Sequence, residues 1–316
     1  MRNDSLDSGD ERADESRKNE DDHTTRFRRV AVVARLTWRP SAVDVAGTIA
    51  LRSYSRATMV ELAALIFDFD GTIAETERDG HRVAYNMAFE EAGATWHWDV
   101  PTYGELLSTA GGKERLERFL EREHPAIGEY PRSELAALLH AAKRRHFDRL
   151  ADVLSLRSGI VRLIAQARHH GLRCAIATTA ARSGVDAVLR RDPQLRDAFE
   201  VIAAGDVVAN KKPAPDIYTY ALEKLCLPAD ACLAFEDSEI GLRAAIAAGL
   251  ATLVTPSAYN EHERFVGAAA IVEELGEPGA VVTTRAGTPP TRGYVDVPYL
   301  RELHVLTQVN SSLRPR

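Results

Sequence analysis

Apolar residues along this chain follow two different rhythms. Leu65-Ile66-Phe67 form an uninterrupted apolar run, long enough for a buried strand, which stops at Asp68-Phe69-Asp70-Gly71-Thr72. From Thr76 to about Leu154 the spacing turns helical: His81, Tyr85, Ala88 and Phe89, then Leu116, Phe119 and Leu120, then Leu135, Leu138 and Leu139. Gly93, Gly111-Gly112, Pro125 and Pro131 punctuate these helices. Further on, strand-like runs at 172–177, 201–202, 232–235 and 250–254 alternate with helical stretches at 183–189, 217–225 and 242–248. Such alternation predicts an α/β fold with a doubly wound parallel sheet, interrupted after its first strand by an all-helical insert. The core is expected over 59–76 and 155–306 and the insert over 77–154. Beyond about Gly276 the chain reads as loop-rich, with a last helix over 297–306 and a flexible tail at 307–316.

Length and charge narrow the classes. At 316 residues the chain has room for about two domains with a large core. A net charge of −6 offers no basic footprint for nucleic acid, and no apolar run is long enough to span a membrane. Cys174, Cys226 and Cys232 are scattered among apolar residues and read as reduced core thiols of a cytoplasmic protein. Residues 1–58 differ from the rest. They open with a stretch dense in Asp, Glu, Arg and Ser, which predicts disorder, and then turn basic. The acidic start departs from the acid-poor transit pattern, although a targeting role would place the protein in a plastid. Met59 directly precedes the first core strand, so the expected natural start is Met59, with the leader an over-extended reading frame.

The chemistry is concentrated where the first strand ends. Residues i and i+2 of an extended segment point the same way, so Asp68 and Asp70 can converge at the strand's carboxyl end, where open α/β sheets place ligands. Two such close carboxylates need a shared cation or proton, and a divalent metal with a phosphoryl ligand meets that need. A solvated turn is the bland alternative. A calcium loop would require further oxygen ligands and a terminal Glu at fixed offsets, whereas Ile73, Ala74, Glu75 and Thr76 follow here.

Asp68-Phe69-Asp70-Gly71-Thr72 resembles the first motif of the haloacid dehalogenase superfamily of phosphoryl-transfer enzymes. Three further sites follow in that superfamily's order: Thr178-Thr179 after a strand, Lys212 in Asn210-Lys211-Lys212-Pro213-Ala214-Pro215-Asp216, and Glu236-Asp237. Pro213 and Pro215 stiffen the backbone around Lys212. Read alone, Thr178 is an ordinary strand-end hydroxyl, Lys212 a loop lysine and Glu236-Asp237 an acidic helix start. A dinucleotide-binding fold shares the class, but no G-x-G-x-x-G follows the first strand. The resemblance implies a Rossmann-like core with a helical C1-type cap, Asp68 as nucleophile, Asp70 as general acid and base, and Thr178, Thr179 and Lys212 on the phosphoryl group. It also implies Mg²⁺ held by Asp68, Asp70 and Asp237 with Glu236 close by.

The cap adds detail. The run from Asp70 to Glu77, His81-Arg82, Trp96-His97-Trp98 and Gly111-Gly112-Lys113-Glu114-Arg115 resemble the CbbY family, phosphatases that hydrolyse xylulose 1,5-bisphosphate. Arg78-Asp79-Gly80-His81 is one residue longer than the bacterial pattern and looks like the plant-type version. Glu75, His81, Lys113 and Arg115 are then expected on the sugar, with Lys113 and Arg115 on a second phosphate, for which the guanidinium fork is suited. A helix start with a solvated charged face is the plainer reading of that loop. The resemblance implies a small sugar phosphate as partner and a monomer or weak homodimer. Phosphoglycolate phosphatase and β-phosphoglucomutase share the cap and core motifs and are the alternatives; a non-catalytic relative would have lost Asp68 or Asp70.

Overall fold

The computed structural model describes residues 59–109, 111–123 and 131–312; the leader at 1–58 and residues 313–316 lie outside the described residues. The sheet is built from β1 (Ala64–Phe67), β2 (Arg173–Thr178), β3 (Phe199–Ala204), β4 (Cys232–Glu236), β5 (Ala251–Val254), β6 (Ala270–Val272) and β7 (Thr284–Ala286). Their order is β3-β2-β1-β4-β5-β6-β7, parallel from β3 to β6, with β7 antiparallel at the edge. β1 pairs with β2 on one side and β4 on the other, so the three motif-bearing strands are neighbours and end together.

The period of two is visible in how the strands divide their side chains. Leu65 and Phe67 join Cys174, Ile176, Leu233 and Phe235 on one face, while Ala64 and Ile66 join Ala175, Ala177 and Ala234 on the other. The first face is bulky, with Phe67 stacked on Phe235 at 4.5 Å between ring centres. It is covered by α5 (Ile160–His169), α6 (Arg182–Leu189) and α10 (Val297–Ser312). The second face is lined with alanines, which lets α8 (Asp216–Leu225) and α9 (Glu239–Ala247) approach closely. A single turn, α7 (Pro193–Arg196), capped by Asp192, precedes β3.

Between β1 and β2 lie α1 (Arg82–Glu91), α2 (Val100–Leu106), α3 (Gly112–Glu123) and α4 (Arg132–Leu150). They bury a separate aromatic core in which Trp98 packs with Tyr85, Phe89 and Tyr103. Asp99 caps α2, its side chain accepting from the Thr102 amide at 2.8 Å, and Pro101 occupies the first turn. The two chain crossings to this helical layer are tied together: Glu75 N donates to Ser155 O and Arg157 N to Ile73 O, both at 2.9 Å.

Four details differ from the sequence reading. β6 and β7 were not anticipated; each has three residues, too few to establish a period. The last helix runs on to Ser312, so residues 307–312 are helical and not a loose tail. Gln308 is the reason: its Nε2 donates to Val60 O at 2.7 Å and its Oε1 accepts from Val60 N at 3.0 Å. Leu138 is half exposed, because α4 buries the stripe through Leu135, Leu139, Ala142 and Lys143 instead. Cys226 is exposed, unlike the buried Cys174 and Cys232, because it ends α8 in a left-handed conformation with φ 51°. Replacing Gln308 by Ala strands both polar groups of Val60, and about 1–2 kcal/mol of unfolding free energy should be lost. A urea midpoint equal to that of the unsubstituted protein would show that this clasp contributes nothing.

Candidate active site

The site forms where β1 and β4 run out. Asp68 N donates to Phe235 O at 2.9 Å, which extends the ladder one residue beyond β1 and aims the Asp68 side chain along the strand's end. The chain then turns at Gly71 with φ 78°. A Cβ there would lie 2.2 Å from Asp237 Oδ2, so glycine is required both for its conformation and for its lack of bulk. Ser238 caps α9, accepting from the Gly241 amide at 3.2 Å. A Cβ on Gly241 would fall 1.9 Å from Glu236 Oε2. Glu236 thus lies flat against the first turn of α9, completely buried.

Lys212 joins these carboxylates. Its Nζ donates to Asp68 Oδ1 at 2.6 Å and to Glu236 Oε1 at 2.7 Å, and Tyr218 OH donates to the same Glu236 oxygen at 2.5 Å. The ammonium also lies over the Tyr218 ring. Carboxylate oxygens of Asp68, Glu236 and Asp237 all lie within 4.8 Å of one another, so one ammonium faces three buried carboxylates. Burial, with Glu236 and Asp70 adding repulsion and Lys212 opposing it, pushes Asp68 up to about 8. Burial and the Asp68 and Glu236 charges push Asp237 well above its ordinary range. A hard divalent cation relieves that excess, and an all-oxygen donor set suits Mg²⁺. Asp68 and Asp237 have oxygens to offer it, whereas Glu236 Oε1 already accepts from Lys212 and Tyr218. Asn260 Nδ2 holds Asp237 Oδ2 at 2.8 Å and Ser257 Oγ at 3.0 Å.

Asp70 has a different environment. Thr76 Oγ1 donates to its Oδ1 at 2.5 Å, and His81 Nε2 lies 3.3 Å from the same oxygen. Behind His81, Lys143 Nζ sits 2.9 Å from Nδ1. An ammonium can only donate there, which places the ring proton on Nε2, facing Asp70. Burial alone would raise Asp70, but His81, Thr76 and the Lys143 charge outweigh it and hold the carboxyl at about 2. Lys143 is itself lowered by burial to about 8. Arg78-Asp79-Gly80-His81 lies in a π-type turn over Glu77–His81, in which His81 N reaches back to Thr76 O at 2.6 Å. A wide turn of this kind takes up one residue without ending the helix, and His81 arrives over Asp70.

The helical layer adds its own cations. Arg115 is buried, with Nη1 donating to Tyr103 OH at 3.0 Å and the guanidinium over the Tyr103 ring. Tyr103 OH in turn donates to Glu77 Oε2 at 2.5 Å. Two lobes of space result. One, of about 330 Å³, is lined by Asp68, Asp70, Thr178, Thr179, Lys212 and Asp237 on the core side and by Glu77 and Arg115 on the helical side. The other, of about 210 Å³, shares Asp70, Glu77, Arg115 and Thr179 and adds His81, Lys113 and Lys143. Thr178 Oγ1 accepts from Ala180 N at 3.1 Å, so its own proton is free to donate into the first lobe.

Most of the expected residues therefore border one or both of two adjacent lobes. Glu236 supports the first of them from beneath. Lys113 stands at the rim of the second lobe, exposed and paired with Glu117 at 3.6 Å. Glu75 is the exception: it lines neither lobe and pairs with Arg157 Nη1 at 2.5 Å, because it belongs to the linker between the layers. Of the two nearby glutamates, Glu75 and Glu77, it is Glu77 that lines both lobes. Tyr103, Lys143, Tyr218 and Asn260 were missed. Lys143 carried a readable signal, a lysine in line with Leu139 and Phe147 on an otherwise apolar stripe; Tyr103 and Asn260 carried none.

The haloacid dehalogenase-like hydrolase family profile matches residues 62–249. Protein CbbY of Cereibacter sphaeroides is 44% identical over 224 residues, covering 70% of this chain and 95% of that protein. A CBBY-like protein of Arabidopsis thaliana is 39% identical, covering 68% of this chain and 70% of that one. A variant of CbbY from Rhodobacter sphaeroides, solved in complex with xylulose-(1,5)bisphosphate, superposes with a TM-score of 0.64 at 44% identity, covering 69% of this chain and 96% of the other.

The glycine in α9 gives a test of this geometry. In a helix interior Gly→Ala normally adds about 1 kcal/mol of stability, yet Gly241→Ala should destabilise the fold and disturb Lys212 through Glu236. A thermal midpoint raised by Gly241→Ala would contradict the close approach.

Proposed function

The chain belongs to the CbbY family of haloacid dehalogenase-like hydrolases, and from that premise we propose that it is a Mg²⁺-dependent phosphatase that takes xylulose 1,5-bisphosphate through an aspartyl-phosphate. One observation carries the reading: the lobe holding Asp68, Asp70, Thr178 and Lys212 shares Asp70, Glu77, Arg115 and Thr179 with a neighbouring lobe that Lys143 and Lys113 also line. A phosphoryl group at the carboxylate end leaves a second anion to be met by these cations. The bisphosphate bound by the Rhodobacter sphaeroides relative supports that choice of substrate.

The phosphoryl group to be removed sits against Asp68, with Lys212 and the Thr178 hydroxyl on its oxygens. Asp68 attacks phosphorus in line, forming an acyl phosphate bond as the sugar–oxygen bond to phosphorus breaks. Asp70, hydrogen-bonded by Thr76 and His81, delivers the proton that the leaving alkoxide requires. It is then a carboxylate, and takes a proton from the water that attacks the aspartyl-phosphate, releasing phosphate and restoring Asp68. The low-lying Asp70 suits this second role; the first requires that it bind a proton from solvent as the anionic substrate arrives, and the proton taken from water restores that form at the end of the cycle. Asp68, the Asp70 carbonyl and Asp237 would hold Mg²⁺, which supplies neutralisation of phosphoryl charge when bound.

Asp68→Asn should abolish turnover of xylulose 1,5-bisphosphate with the circular-dichroism spectrum intact, since an amide cannot attack phosphorus. Asp70→Asn should lose at least about a hundredfold in kcat, the share a general acid and base usually supplies. Substantial turnover by Asp68→Asn would sink the mechanism.

Substrate length is tested separately. Arg115→Ala should raise KM for the bisphosphate by about ten- to a hundredfold, the value of a charge-assisted contact, while small monophosphates lose little. Lys212→Ala should damage both substrates alike. Equal losses in Arg115→Ala would return the protein to a phosphatase of small monophosphates.

A further inference from the structure

On the reading just given, selection of a bisphosphate requires that Arg115 and Lys212 be held at a fixed separation although they belong to different layers. Each has a neighbour in sequence that bears on this. Glu114 precedes Arg115 in the first turn of α3, and Lys211 precedes Lys212 in the loop leading to α8. Glu114 Oε1 and Lys211 Nζ lie 3.1 Å apart, spanning the helical layer and the core. The carboxylate is built into place: Gly111 has φ 90°, and a Cβ there would lie 2.2 Å from Glu114 Oε2. Glu114 Oε2 is buried and has no hydrogen-bond partner among the described residues, while the side chain as a whole keeps 42% of its surface exposed. Lys211 is four-fifths buried and also meets the exposed Asp206 at 3.2 Å.

Arg144 Nη2, on α4, also crosses to Ser183 Oγ at 3.0 Å, and the ion pairs of Arg190 have a different placement. Arg190 reaches Asp148 at 3.0 Å and Asp152 at 3.4 Å, a few residues before the chain re-enters the core at Leu154. Contacts beside the linkers survive a rotation about them. α3 connects directly to neither linker, so a contact it makes with the core reports closure.

We propose that the Glu114–Lys211 ion pair is the latch that registers the closed helical layer on the core, making Glu114 and Lys211 positioning residues that set the span between Arg115 and Lys212. Breaking it leaves the groups of the first lobe in place; both side chains also border the second lobe, so the distance between the layers is the readout that separates a latch from a direct contact with substrate.

The test has two arms on the full chain. Spin labels on Leu138→Cys and Val266→Cys, in a Cys226→Ser background, report the distance between the layers by pulsed dipolar spectroscopy. Glu114→Gln and Lys211→Met should each lengthen and broaden that distance, and the double substitution should add nothing to either. In the kinetic arm, each single substitution should lower kcat/KM for xylulose 1,5-bisphosphate by about two- to fivefold, through KM, as suits a partly exposed pair. Turnover of p-nitrophenyl phosphate should hold or rise, a gain that damaged folding would not produce. An unchanged distance, or additive losses in the double substitution, overturns the latch whatever the substrate. A lengthened distance in an enzyme with no preference for the bisphosphate would keep the latch and refute the substrate reading instead.

Discussion

The structure depends on one buried ammonium. Lys212 lies between Asp68 and Glu236 with almost no exposure to solvent, and charges taken out of water are tolerable only when paired and fully hydrogen-bonded. The strand order meets that requirement by placing β1 beside β4, so that Asp68 and Glu236 end on adjacent strands with the lysine loop closing over them. The two glycines follow from the same crowding. Gly71 leaves room for Asp237 and Gly241 for Glu236, because carboxylates packed this closely to one cation admit no methyl group between them. The pairing is also incomplete, since Asp68 and Asp237 remain pushed toward their neutral forms. That residual imbalance is one that a divalent cation among these oxygens would relieve.

The helical layer answers the core with charge of the opposite sign. Arg115 and Lys143 are both buried, and neither forms an ion pair with a core carboxylate within the first lobe. Arg115 is held by Tyr103, and through it by Glu77, while Lys143 rests on the Tyr85 and Phe147 rings and donates to His81. Aromatic side chains thus do two tasks: they form the insert's separate core and they support cations at its lower surface. A substrate with anionic groups at both ends would complete both charge sets together, which ties binding to closure more firmly than a single phosphate could.

The fold was legible in the sequence where period and length cooperate. The apolar run before Asp68 and the alternation after 172 give β1, β2, β4 and β5 with their helices, because buried parallel strands are continuous apolar segments. The three-residue edge strands carry no such signal, and the extension of the last helix rests on Gln308 meeting Val60, a contact between chain ends that local pattern does not encode. In the site, the core residues were legible because each closes a strand or a stiffened loop. The cap residues were less so. Glu75 and Glu77 are two apart and similar in chemistry, and only the π-type turn that begins at Glu77 decides that the second faces the cavity and the first the linker.

That same division marks where one layer ends and the other begins. Arg157 holds Glu75 and also donates to the carbonyls of Pro256 at 3.1 Å and Glu273 at 3.3 Å, so the root of both linkers is fastened to loops at the carboxyl ends of β5 and β6. The Pro256 carbonyl immediately precedes Ser257, which with Asn260 steadies Asp237. A rotation at the linkers would therefore leave the carboxylates of the core undisturbed and carry His81, Arg115 and Lys143 with the helices. Asp70 is the point where the two sets meet, fixed to the core by its backbone and to the helical layer by His81. Thr76 meets its Oδ1 from the linker and His81 from the first helix of the insert, so both contacts depend on how the two layers are placed.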